Sequence, residues 1–179
     1  MKYIVFAIAS ALSGCAAQGP TYDATNSNSL FIASNYNAAD QLARNLRANK
    51  QTGPVIVATF TNVDNLQESS RLGRTLSEQI GSRLVQAGLQ VIEVKLRENI
   101  YVSNALQGEF LLSREIRDIS ALHKVNTVVV GTYSDADNYL YVTTKAIELP
   151  SSTILASYDY TLPLNSTVRA MLPLPPQKK

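Results

Sequence analysis

Thr127-Val128-Val129-Val130-Gly131-Thr132-Tyr133 places β-branched residues at consecutive positions, so both faces of the segment are apolar. A strand with one wet face alternates; a strand apolar on both faces belongs at the centre of a sheet covered on both sides. Two earlier segments fit beside it. Pro54-Val-Ile-Val-Ala-Thr-Phe60 is an apolar run of strand length, and Leu89 to Leu96 is another. Between them, Leu72, Leu76, Ile80, Leu84 and Ala87 recur on one helical face over Ser69 to Ala87, and Gly88 stops that helix. Ahead of the first strand, Ala39, Leu42, Ala43 and Leu46 recur at helical spacing, with Asn37 and Asp40 placed as a capping pair. Ahead of the Thr127 strand, Ser113 can cap a helix carrying Ile116, Ile119 and Leu122, with His123 and Lys124 at its positive-preferring end.

Downstream, Tyr139 to Leu149 and Thr153 to Leu162 are strands joined by Pro150-Ser151-Ser152, the pattern of an antiparallel hairpin. The order α-β-α-β-α-β-β-β predicts an α/β fold: one mixed sheet in a two-layer sandwich, with three parallel strands joined by right-handed crossovers and extended by the hairpin. Phe60 to Gln67 is expected to lead directly into the second helix, and Glu98 to Leu112 to be irregular.

Outside this unit the chain reads differently. Met1-Lys2 supplies a positive charge, Ile4 to Leu12 is a short apolar run, and Leu12-Ser13-Gly14-Cys15 follows. The run is too short to span a bilayer as a helix. Leu-Ser-Gly-Cys resembles the lipobox of bacterial lipoproteins, which implies that Cys15 takes a diacylglycerol group and becomes the acylated first residue of the mature chain. Cys15 is the only cysteine in the sequence, so an internal disulfide is excluded. Ala16 stands where retained inner-membrane lipoproteins usually carry Asp, which implies sorting to the outer membrane. Residues 1–14 then form the signal peptide, and 15–34 a small, polar, lipidated tether. As a coil of roughly nineteen residues that tether spans about 25 Å root-mean-square. Residues 35–163 form the α/β domain and 164–179 a Pro-rich flexible tail.

Charge and chemistry narrow the function. The chain has 16 Lys and Arg against 14 Asp and Glu; without Lys2 the balance is 15 to 14. A nearly neutral chain without a basic cluster lacks the footprint of a nucleic-acid binder. His123, the single histidine, makes no triad or metal set by itself and is read as satisfying a helix end. No Gly-rich phosphate loop follows the first strand. Asp135-Ala-Asp137-Asn138 offers oxygen ligands, yet it sits where a turn between strands belongs and no Glu follows at EF-hand spacing. No catalytic residue, cofactor or metal is expected.

Two stretches stand out. Arg71 and Arg74 occupy the first turn of the second helix, where the dipole disfavours cations. Gly73 inside that turn costs about 1 kcal/mol relative to Ala unless a close backbone approach rewards it. The segment Gly108-Glu109-Phe110-Leu111-Leu112-Ser113-Arg114 should reach the same sheet edge and supply an offsetting acid. Ser70, Arg71, Gly73, Arg74, Glu109, Phe110 and Arg114 are therefore candidates, either as structural salt bridging or as a partner-binding surface.

Ser70-Arg-Leu-Gly-Arg74, Gly-Glu-Phe-Leu-Leu-Ser-Arg114 and Val-Val-Gly-Thr-Tyr133, in that order, resemble the FlgO family of outer-membrane lipoproteins tied to the sheathed or polar flagellum. The likeness covers roughly Ala38 to Tyr160. It implies a non-enzymatic part of the flagellar apparatus at the outer membrane, with basal-body or outer-membrane ring proteins, or further copies of the chain, as partners. The family's fold resembles the N-terminal domain of TolB and curli-secretion lipoproteins. Because that domain is reused in other envelope lipoproteins, a periplasmic accessory role in secretion or cell-wall synthesis is the alternative.

Overall fold

Parallel pairing of two short segments against one long strand organises the molecule. The computed structural model describes residues 27–51, 53–92, 101–104, 109–112, 121–149 and 151–173. Its elements are α1 (Ser27–Ala48), β1 (Val55–Val57), β2 (Thr61–Asn62), β3 (Asn65–Ser69), α2 (Arg71–Gln86), β4 (Val91–Ile92), β5 (Tyr101–Asn104), β6 (Glu109–Leu112), β7 (Thr127–Ala136), β8 (Tyr139–Glu148), β9 (Ile154–Pro163) and α3 (Ser166–Arg169). Residues 121–123 are also helical.

β7 is the central strand expected of Thr127 to Tyr133. β1 runs parallel to it in the register Val55 to Thr127 and Val57 to Val129, β4 runs parallel to β1, and β8 and β9 continue the other side as antiparallel partners. The fold is thus the expected mixed α/β arrangement on one main sheet. β7 alternates its burial: Val129 and Tyr133 join the cluster beneath α1 and α2, while Val128 and Val130 join Ile56, Ala58, Leu66 and Val125 on the opposite face. Leu42 and Leu46 of α1 and Leu72, Leu76, Ile80 and Leu84 of α2 are all fully buried, the stripes that periodicity marked.

The two helices are stapled to each other. Arg83 Nε and Nη2 donate to the two carboxylate oxygens of Asp40 at 2.8 and 2.9 Å, and the guanidinium lies 5.5 Å from the centre of the Tyr36 ring. Asn37 and Asp40 therefore do not cap α1. Both lie inside a helix that starts at Ser27, and Asn37 instead donates to the Tyr158 hydroxyl at 2.9 Å. Residues 27–34, expected in the tether, are helical because Phe31 buries against the core and Ile32 packs beside it.

The path after β1 differs from expectation too. Val57 pairs with Val129 and Thr61 with Thr132, four steps on one strand against three on β7, so β2 resumes the same parallel track after one extra residue. β2 and β3 then form a hairpin in which Asn62 Oδ1 accepts the Asp64 N–H at 3.0 Å, so Phe60 to Gln67 does not run straight into α2. Within Glu98 to Leu112, β5 and β6 form a separate antiparallel pair where an irregular stretch was expected. Of the third helix, residues 113–120 lie outside the described residues. Leu122, expected on its apolar face, is 77% exposed, and His123 is exposed at the end of the helical turn.

Residues 164–173 are structured up to Pro173, whereas a flexible tail was expected from 164. Asn165 caps α3 by accepting the Val168 N–H at 2.9 Å, and Leu164 and Val168 are buried. Sequence composition hid this because the apolar anchors are single residues between prolines and polar groups.

Candidate functional site

The start of α2 is where the quoted motifs meet. Ser70 is extended (φ −108°, ψ 160°) and its Oγ accepts the Gly73 N–H at 2.8 Å, which caps the helix. The Tyr133 hydroxyl, coming from the far end of β7, donates to the same Oγ at 2.5 Å. Ser70 is 4% exposed and Tyr133 1% exposed, so this bond is made out of water and ties α2 to the central strand.

Phe60 fills the space between them. Its N–H donates to the Gly73 carbonyl at 3.3 Å. Its own carbonyl oxygen lies where a Cβ on residue 73 would be, and its ring lies where a Cβ on residue 131 would be. Gly73 and Gly131 are therefore required by one residue: the first admits the Phe60 main chain, the second its ring. The close backbone approach expected at Gly73 is present. Phe60 and Tyr133 carry this arrangement and were not singled out from sequence; the signal was a glycine in each of two motifs flanked by large apolar residues.

Arg71 and Arg74 remain on the surface. Arg71 Nη1 lies 3.4 Å from the Ala170 carbonyl, and Arg74 Nη1 donates to Ser69 Oγ at 2.8 Å. Their described partners are a carbonyl and a hydroxyl, where an acid was expected. The Leu72 N–H donates to the Met171 carbonyl at 2.9 Å, so residues 170 and 171 supply acceptors to the cationic first turn of α2. Glu109 and Phe110 open β6, and β5, its hairpin partner, lies against β3, the strand that leads into Ser70. The backbone thus carries that hairpin toward the start of α2. The side chains of Glu109 and Phe110, and the whole of Arg114, lie outside the described residues, and with them the expected ion pairing.

A second polar cluster crosses the interface between the helices and β9. The Tyr160 hydroxyl donates to Asn35 Oδ1 at 2.6 Å, and Asn35 Nδ2 donates to Gln79 Oε1 at 2.6 Å. Asn35 is fully buried, and desolvation pushes the Tyr160 hydroxyl well above the ordinary range for a phenol. Beside it, an apolar cavity of about 190 Å³ opens between Phe31, Ile32, Gln79, Val168 and Met171.

The other candidates are placed plainly. Asp137 and Asn138 form the β7–β8 turn, with Asp137 at φ 48°, whereas Asp135 lies inside β7 opposite Leu140. Among the described residues no group of three His, Cys, Asp or Glu side chains is arranged to hold a metal, and no helix is long and apolar enough to cross a membrane. Cys15 lies outside the described residues.

A family model described as FlgO protein matches residues 36–167. No curated protein matches the chain. Among solved structures, the LpoB C-terminal domain from Salmonella enterica superposes with a TM-score of 0.48 at 11% identity, covering 72% of this chain and 98% of that one. LpoB from Escherichia coli, solved by NMR, gives 0.48 at 11% identity over 91% of this chain and 83% of that one. Lipoprotein GNA1162 from Neisseria meningitidis gives 0.41 at 10% identity over 64% and 83%.

Proposed function

The chain belongs to the FlgO family, and from that premise we propose that it is an outer-membrane lipoprotein, held by lipid on Cys15, that serves as a non-enzymatic component of the flagellar apparatus. The observation that carries this reading is the span of the family match, which takes in all three quoted motifs. Leu12-Ser13-Gly14-Cys15 supports the anchor: a lone cysteine behind an apolar run has a use as a lipid thioether and none as a disulfide. Several acyl chains at about 0.8 kcal/mol per buried CH₂ hold a domain at a membrane without a spanning helix.

The surface proposed for flagellar partners is the one around the start of α2. There Arg71 and Arg74 are exposed, while Ser70 and Gly73 act behind them by fixing the turn. Glu109, Phe110 and Arg114 are proposed to complete it, giving apolar area with directional charge. The test is a strain lacking the gene, scored for swimming and for the number of flagella per cell by electron microscopy. A loss of either, restored by the wild-type gene and not by a stably made Glu109→Lys variant, supports both the function and the surface. Normal swimming and flagellation in the deletion strain refute the flagellar role.

A further inference from the structure

Strand β9 forms one margin of the sheet. β8 pairs with it along its length, and among the described residues no strand occupies its other side. The main-chain groups that face outward follow from one bond. The Leu164 N–H donates to the Asn138 carbonyl at 2.8 Å, just beyond the Tyr139 and Pro163 pair. Bonded and non-bonded pairs alternate along an antiparallel ladder, so Leu162, Tyr160 and Tyr158 bond to β8 while Thr161, Asp159 and Ser157 turn their N–H and C=O groups away from it. The Thr144 hydroxyl, which donates to the Tyr158 carbonyl at 3.0 Å from the β8 side, agrees with this phase.

Both ends of the outward row are closed. At one end Asn49 Nδ2 donates to the Leu155 carbonyl at 2.9 Å; at the other, Pro163 has no N–H. Between them, Ser157, Asp159 and Thr161 have exposed side chains. Asp159 is the only charged residue in β9, and it stands in the middle of the open segment. Its cross-strand neighbour is Thr143, and Tyr141, which is 51% exposed, stands opposite Thr161.

Aspartate is disfavoured inside strands, and a charge on an edge is a way to prevent pairing with the wrong chain. Two copies paired antiparallel about Asp159 would set one carboxylate against another, which is unfavourable. A strand carrying a cation at that place gains what the second copy loses. We propose that the outer edge of β9, centred on Asp159, accepts an extended segment of another protein bearing a Lys or Arg opposite Asp159, and that the same carboxylate excludes a second copy of this chain. The mode is strand addition, with main-chain bonds giving affinity and Asp159 giving selectivity.

The test follows amide hydrogen exchange of the full chain in detergent solution while a blocked pentapeptide, Thr-Val-Lys-Val-Thr, or its counterpart with Glu at the centre, is added. The Lys peptide is expected to slow exchange at Ser157, Asp159 and Thr161 by about tenfold near saturation, and the Glu peptide to leave it unchanged. Asp159→Lys should reverse the preference. Thr161→Pro removes an outward N–H without touching the bonds to β8, so it should abolish the effect of the Lys peptide while the β8 amides stay protected. Equal protection by the two peptides, no protection by either, or persistence of the effect in a folded Thr161→Pro chain overturns the proposal. So does protection of the same three amides when the wild-type chain alone is concentrated, which would identify a second copy as the occupant.

Discussion

Replacing Gly73 with Ala should destabilise the protein, although the same change in an ordinary helix stabilises it. Inside a helix Ala is favoured over Gly by about 1 kcal/mol. At residue 73 the added methyl would land on the Phe60 carbonyl oxygen, with the Phe60 carbonyl carbon at 3.0 Å and Ser70 Oγ at 3.2 Å. Main-chain atoms cannot rotate away, so α2 must shift. Overpacking of this kind costs about 1–3 kcal/mol, and weakening the Ser70 cap costs about 1 kcal/mol more. Set against the helix gain, the net loss is about 1–3 kcal/mol, a fall in Tm of roughly 5–10 °C for a domain of this size. Gly81 provides the internal control. It lies in the same helix, and a Cβ there would meet only Val57 Cγ2 at 3.8 Å, an ordinary contact. Gly81→Ala should therefore raise stability by about 0.5–1 kcal/mol. Urea denaturation of both variants decides the matter. If Gly73→Ala matches Gly81→Ala or exceeds the wild type, the packing of Phe60 between α2 and β7 does not hold the site together.

Three further outcomes are expected. Val129→Asp sets a carboxylate in a fully buried position of the central strand and should abolish the cooperative unfolding transition seen by circular dichroism. Asp40→Ala breaks a bidentate pair whose side chains are each 28% exposed, so it should cost only about 0.5–1 kcal/mol, with the difference from wild type narrowing in high salt. Tyr160 holds its proton more tightly folded than unfolded, so its contribution is complete below the unfolded value, near pH 10 for a tyrosine, and declines as pH rises beyond it. Denaturant midpoints measured at pH 8 and about pH 11 should drop more for the wild type than for Tyr160→Phe.

What the sequence revealed and what it hid have physical reasons. Val128 to Val130 and the stripe from Leu72 to Leu84 were legible because burial there follows the period of the element itself. The β8–β9 hairpin was legible because alternation and a turn coincide. The first turns of α1 were not, because Ser27-Asn28-Ser29 is polar and Phe31 is held by the core cluster that Val168, far away in sequence, also joins. The β2–β3 hairpin was missed because Asn62, Asp64 and Asn65 read as a loop, and its strands are too short to show a period. At the site, the glycine motifs were visible and their cause was not. Gly73 and Gly131 answer to Phe60, and a single sequence does not report which side chain a glycine makes room for. An acid is expected beside the arginines of α2, but their described acceptors are the Ser69 hydroxyl and the Ala170 carbonyl, the latter in a segment that composition marks as tail.

The proposed lipid attachment at Cys15 and the proposed flagellar role meet in the swimming of a strain that lacks the gene and makes the Cys15→Ser protein at the wild-type level. The variant is expected to leave the outer-membrane fraction and to fail to restore swimming. Full swimming with the unanchored protein would contradict a lipid-anchored flagellar role.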